Sequence, residues 1–121
     1  RGARLQWSGA NNPLWYIQNG VLIEIDATKQ PIGKTENPKP FLTHSIDLQK
    51  GDMFYLFTDG FADQFGGPKK KKFKYKPFKD LLLSICNLPA DEQRTILEEH
   101  FTNWRGELEQ VDDVCIIGVK I

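Results

Sequence analysis

The feature that most constrains this chain is the unbroken apolar run Met53-Phe54-Tyr55-Leu56-Phe57, which ends abruptly in Thr58-Asp59-Gly60. A strand with one wet face shows a polar residue at every second position. Five apolar residues in succession suit a strand covered on both faces. With 121 residues there is room for one small domain or a piece of one. An apolar content of 40% is enough to cover such a strand and too high for a disordered chain.

The segments on either side of that run have their own periodicities. Leu5 and Trp7 lead into the dense turn signal Ser8-Gly9-Ala10-Asn11-Asn12-Pro13. Leu14-Trp15-Tyr16-Ile17 reads as a strand, Gln18-Asn19-Gly20 as a hairpin turn and Val21-Leu22-Ile23-Glu24-Ile25 as its partner strand. Residues 26–40 carry Pro31, Pro38 and Pro40 with little apolar content and form a loop. A strand is expected over 41–48, where Ile46 and Leu48 alternate with polar neighbours, and a turn at Lys50-Gly51-Asp52. Beyond Gly60 the period changes. Phe78, Leu81, Leu82 and Ile85 make one helical stripe. A second helix opens at Pro89, with Asp91 and Glu92 favourable at that end of the dipole. It shows an apolar face of Ile96, Leu97, Phe101 and Trp104 and stops at Gly106. A closing strand covers 114–121. Strands flanking a helical pair argue for an α+β layered arrangement.

Sixteen basic residues balance sixteen acidic ones, so no overall field points to nucleic acid or a membrane surface. The run Lys69-Lys70-Lys71-Lys72, with Lys74 and Lys76, reads as a solvated loop. Trp7, Trp15 and Trp104 lie on apolar-periodic segments and read as core rather than as a base-stacking platform. His44, with no partner at metal-site spacing, reads as a surface or strand-edge residue, and His100, beside the core residue Phe101 on the second helix, as structural. Cys86 and Cys115 sit in apolar runs and are expected to be buried free thiols of a reducing compartment. The sequence holds no stretch of about 18 apolar residues and no secretory signal, which together with the thiols gives a cytoplasmic expectation. The opening Arg1-Gly2-Ala3-Arg4 lacks a methionine and reads as the start of an excised piece.

Two short segments carry chemistry. In Thr58-Asp59-Gly60 a carboxylate follows a rigid strand and a glycine allows a sharp turn straight after it. In Gln110-Val111-Asp112-Asp113 two acids stand before the last apolar strand, where burial is costly unless water, a cation or hydrogen bonds satisfy them. Oxygen ligands without His or Cys suit magnesium or manganese. Ordinary turn acids are the other reading of the same residues, because Asp-Gly is a common turn.

Taken together, Ser8-Gly9-Ala10-Asn11-Asn12-Pro13-Leu14, Lys50-Gly51-Asp52, Phe57-Thr58-Asp59-Gly60 and Gln110-Val111-Asp112-Asp113 resemble the SpoIIE branch of the metal-dependent (PPM) protein phosphatases. The longer run from Thr58 to Gly67 resembles a subgroup linked to bacterial sensor regions. The resemblance covers essentially the whole chain. It implies an αββα layered β-sandwich, of which this chain is the C-terminal part: mainly antiparallel strands, two helices and a closing strand. It places Asp59 and Asp112 at a two-metal centre holding Mn2+ or Mg2+, Asp113 as a weaker ligand and Gly60 as the adjoining turn. The implied reaction is hydrolysis of a phosphoserine or phosphothreonine by metal-activated water attacking in line, without a covalent enzyme intermediate. Lys69, Lys70, Lys71 and Lys72 would then form a flap beside the site that steers an acidic phosphoprotein.

The family's Asp-Gly-His-Gly-like segment, whose aspartate bridges both metals, has no counterpart here. The resemblance therefore implies residues 1–121 as the C-terminal portion of one phosphatase domain, inactive or nearly so alone. Its uncovered sheet edges favour self-association. The implied partners are a phosphoserine or phosphothreonine protein, in this family often a regulator of an anti-sigma factor, and an N-terminal sensor region, which leaves room for tethering to a membrane sensor. Two other functions compete: a non-catalytic interaction domain on the same fold, and a nucleic-acid binder using the lysine run. The last ranks lowest, and no nucleic-acid partner is expected.

Overall fold

In the computed structural model, which describes residues 3–121, the Asn19-Gly20 pair forms the two-residue turn between two strands. Arg1 and Gly2, and with them the reading of how the chain opens, lie outside the described residues. The elements run β1 (Ala3–Ser8), β2 (Leu14–Gln18), β3 (Val21–Ile25), β4 (Thr43–Leu48), β5 (Met53–Phe57) and α1 (Gly60–Asp63). They continue with β6 (Phe65–Gly66), β7 (Lys71–Lys72), α2 (Tyr75–Ile85), α3 (Ala90–Arg105) and β8 (Ile116–Lys120). Two compact units form: the described residues up to Leu56 with Val119–Ile121, and Phe57–Gly118.

The β1–β4, β2–β3 and β2–β5 pairings are all antiparallel. Asn19 at φ 51° and Gly20 at φ 77° close the β2–β3 hairpin. Two central residues with positive φ match the right-handed twist of the flanking strands, which is why Asn-Gly is favoured there. The same strand β2 pairs on its other side with β5, placing Trp15 opposite Tyr55 and Ile17 opposite Met53. The strand order of this sheet is β3-β2-β5-β8. The turn before β5 is built by Asp52, a buried carboxylate that accepts from Gln18 Nε2 and from the Gln49 amide, both at 2.9 Å. Its partners meet the cost of burying it. Ile121 and Asp52 are joined by a backbone bond of 2.9 Å, and Gly51, at φ 96°, donates to the Ile121 carbonyl at 2.9 Å.

Strands β1 and β4 make a separate ladder, with Leu5 opposite Ile46 and Trp7 opposite His44. Leu14, Ile46 and Leu48 form a buried cluster against which Leu5, Trp7, Tyr16, Ile25, Phe54 and Leu56 pack. Met53, Tyr55 and Phe57 are buried as well, so β5 is covered on both faces as its sequence requires. Strand β4 starts two residues later than expected, because the Leu42 amide donates to Thr28 Oγ1 at 3.2 Å instead of joining the ladder. The loop it belongs to is held by a parallel bridge between Ala10 and Thr28 and by Gln30, which bonds both the amide and the carbonyl of Lys39.

The second unit contains three helices, not the two read from the sequence. The added one is the single turn α1, too short to show a periodic stripe. Phe78, Leu81, Leu82 and Ile85 are buried along α2, as their spacing predicts. Phe61 stacks on Phe78 with centroids 4.8 Å apart, and Phe57 meets Phe78 edge-on at 5.4 Å. Phe101 lies 5.3 Å from Phe61, and Phe73 bridges Phe61 and Trp104. Aromatic pairs at such distances add about 0.5–1.5 kcal/mol each beyond the area they bury.

The expected apolar face of α3 is only half-buried, and Gln93 is its one buried residue. The helix ends as predicted at Gly106, at φ 55°, whose amide caps the Thr102 carbonyl. The lysine run is a hairpin rather than a loop: β6 pairs with β7, Phe65 opposite Lys72. Strand β8 stands last in its sheet order and exposes Ile117 and Val119. For the same reason Cys115 is exposed, which corrects the expectation of two buried thiols; Cys86 is buried.

Candidate functional site

Both acid-bearing segments lie in the second unit. Thr58 leaves β5, Asp59 stands at the N-terminal boundary of α1, and Gly60 is its first residue. The Asp59 carbonyl accepts the Asp63 amide at 2.9 Å, but its side chain makes no capping bond. It is held instead by the Tyr75 hydroxyl, which donates to Oδ1 at 2.5 Å from the first turn of α2. Tyr75 escaped the sequence reading, since only the fold brings the start of α2 to Asp59.

Asp112 and Asp113 are both exposed, so the expected cost of burying two adjacent acids does not arise. Asp112 Oδ1 accepts the Asp113 amide at 2.9 Å, and the Asp112 carbonyl accepts Gln110 Nε2 at 3.0 Å. Thr58 connects this turn to the Asp59 segment. Its hydroxyl donates to the Asp113 carbonyl at 2.8 Å and accepts the Cys115 amide at 3.0 Å, while its own amide donates to the Cys115 carbonyl at 3.0 Å. Gly60 is part of the same junction. A Cβ there would fall on the Asp113 carbonyl and on Val114 Cγ2. The glycine is required by this close approach and not by a positive φ, a different reason from the sharp turn expected of it.

The structure thus places Asp59, Gly60 and Asp113 around one junction, with Asp112 next in the chain. Its donors are all oxygens, the right kind for a hard divalent cation. Their number falls short of a complete site: among the described residues no group of three or more His, Cys, Asp or Glu side chains is gathered to hold a metal. The donor type suits a hard divalent cation, while the set gathered among the described residues is incomplete.

Lys69, Lys70, Lys71 and Lys72 are exposed on and beside the β6–β7 hairpin. Lys72 lies 3.8 Å from Asp63 of α1 and 5.9 Å from the Phe65 ring centroid. A groove of about 660 Å³ runs between α3 and residues 114–116, floored by Phe61, Leu97 and Phe101, and none of the three aspartates lines it. No helix among the described residues is long and apolar enough to cross a membrane.

Comparison with known proteins identifies the family and the fold. The family model for Stage II sporulation protein E (SpoIIE) matches residues 1–121. Among solved structures, the SiaA-PP2C domain of Pseudomonas aeruginosa matches with a TM-score of 0.86 at 28% identity, over 98% of this chain and 46% of that one. The PP2C phosphatase domain of SpoIIE from Bacillus subtilis, solved with a fragment of its regulatory domain, gives 0.70 at 20% identity, over 98% of this chain and 34% of that one. The Mn-presoaked phosphatase domain of the same protein gives 0.69 at 21% identity, over 99% and 51%. The two Bacillus subtilis likenesses speak for the fold alone. No curated protein sequence matches the chain. The chain spans about half the length, or less, of these solved structures. It belongs to the SpoIIE family, and its mixed fold of antiparallel sheets and three helices is that of part of a PP2C-type phosphatase domain.

Proposed function

We propose that residues 1–121 are the C-terminal portion of a metal-dependent protein serine/threonine phosphatase domain, with Asp59 and Asp112 as metal ligands, Asp113 as a weaker ligand and Gly60 as the adjoining glycine whose missing side chain admits the Asp113 carbonyl. The observation that carries this reading is the Thr58–Asp113 bond of 2.8 Å, which ties the two acidic segments into one junction within a chain that the SpoIIE family model matches throughout. Two carboxylates from separate segments suit a hard cation, and a divalent ion bound there would activate water and offset charge on phosphoryl oxygens. Asp59, oriented by Tyr75, presents its carboxylate from the boundary of a rigid strand. The remaining ligands come from the rest of the domain, consistent with a chain that spans 46% of the SiaA domain.

The substrate is a phosphoserine- or phosphothreonine-bearing protein, and the exposed lysines of the β6–β7 hairpin supply a basic flank for its acidic surface. In the parent protein the domain acts in bacterial signalling in the cytoplasm, downstream of an N-terminal sensor region. The isolated 121 residues turn over little or no substrate. Ile117 and Val119, exposed on β8, favour self-association of the piece.

The test is manganese-dependent hydrolysis of a phosphoserine peptide by the full-length protein. Activity that requires manganese and is lost in both Asp59→Asn and Asp112→Asn supports the reading. A folded protein with no activity and no manganese binding rejects it in favour of a non-catalytic interaction domain.

A further inference from the structure

We infer that Thr58 and Gln64 are positioning residues that clamp the 109–115 segment from both ends, so that the Asp112–Asp113 turn is held against Asp59 and Gly60 before any cation binds. This inference rests on the metal reading above. The segment needs such a clamp, because β8 begins only at Ile116 and the acids before it lie outside any ladder. Exposed turns of this kind sample many conformations, and a ligand set that must be ordered on binding loses affinity to that ordering.

Thr58 holds the end nearer β8. Its amide bond to the Cys115 carbonyl is what a strand pairing supplies in any case. The hydroxyl adds two more bonds, donating to the Asp113 carbonyl and accepting the Cys115 amide, and so extends the order into the acid turn. Valine has the same shape and would keep the first bond while losing the other two.

Gln64 holds the far end. It follows α1 directly and is 1% exposed. Its Nε2 donates to the Glu109 carbonyl at 3.0 Å and to the Phe65 carbonyl at 3.0 Å. Its backbone is fixed in turn, the carbonyl accepting Trp104 Nε1 at 2.8 Å and the Phe73 amide at 3.0 Å. The side-chain Oε1 is buried without a hydrogen-bond partner. A half-satisfied buried amide costs stability that an apolar side chain of similar volume would not. Stability alone therefore does not explain a glutamine here, and what the amide supplies is the tether to Glu109. Residues one before and five after Asp59 thus grip the two ends of the stretch that bears the second pair of acids.

The experiment measures Mn2+ affinity by titration calorimetry in the full-length protein, with the urea midpoint of the metal-free state recorded for each variant. Thr58→Val and Gln64→Met should each weaken Mn2+ binding roughly 10-fold, the scale seen when groups that orient metal ligands are removed. Thr58→Ser, which keeps the hydroxyl, should restore wild-type affinity. Gln64→Met carries the test if Thr58→Val does not fold. Variants that lose stability yet bind Mn2+ as tightly as wild type would show a merely structural role and overturn the inference. Wild-type protein that binds no Mn2+ overturns the metal reading itself, and that is seen before any variant is compared.

Discussion

The Tyr75 hydroxyl donates a 2.5 Å hydrogen bond to Asp59 Oδ1, linking the first residue of α2 to the carboxylate at the end of β5. Tyr75 reaches that position because Lys74, at φ 77°, turns the backbone immediately before the helix, and its ring lies 6.3 Å from that of Phe57. The α1 turn makes no use of the Asp59 side chain, so the orientation of this carboxylate depends on α2. A helix that looks like packing in the sequence is therefore also a support for the candidate ligand.

Tyr75→Phe removes one hydroxyl and keeps the ring. On the proposed function it should raise the manganese concentration needed for half-maximal activity of the full-length protein about 10-fold, as loss of outer-shell partners does at metal sites. Manganese titrations of phosphopeptide hydrolysis check this. An unchanged titration would show that Asp59 is positioned without Tyr75.

Gly60→Ala should destabilise this chain by about 1–3 kcal/mol, the usual cost of forcing atoms into a filled space. The added Cβ meets the Asp113 carbonyl, a backbone atom that cannot swing aside. Urea unfolding of the 121-residue chain measures the loss, and a wild-type midpoint would contradict the packing described for this junction.

Phe78→Ala should cost about 3–5 kcal/mol, because it opens a cavity at a fully buried ring contacted by both Phe57 and Phe61. Small domains stand only about 5–15 kcal/mol above unfolding, so the loss would be a large share of the margin. Loss of near-ultraviolet circular dichroism at low urea concentration is the expected sign.

Of the two thiols, Cys115 should react rapidly with a thiol reagent in the folded chain and Cys86 only on unfolding. Mass spectrometry of the labelled peptides distinguishes them. Equal fast labelling of both would mean that the Cys86 end of α2 is open.

Much of the fold could be read residue by residue. Asn19-Gly20 specifies its turn through two positive φ angles that few residue pairs tolerate, and the observed hairpin follows. The stripe Phe78, Leu81, Leu82, Ile85 predicts one face of a helix, and that face is buried. Motif context singles out Asp59, Asp112 and Asp113. Their surroundings were not legible in the same way. Local pattern suggests burial for Asp112 and Asp113, which precede an apolar strand, and for Cys115 within it, whereas β8 stands last in its sheet order and all three are exposed.

By itself the sequence determined what short-range rules control: where strands and helices run, which turns punctuate them, and the family to which four separated motifs point. Tertiary structure decided which side chains meet. Thr58 bonds Asp113 across 55 residues and Gln64 bonds Glu109 across 45, while Gly60 is confined by a carbonyl more than 50 positions away. Periodicity reports the face on which a residue lies, but a hydrogen bond between distant segments depends on the register in which they are brought together, and that register exists only once the chain has folded.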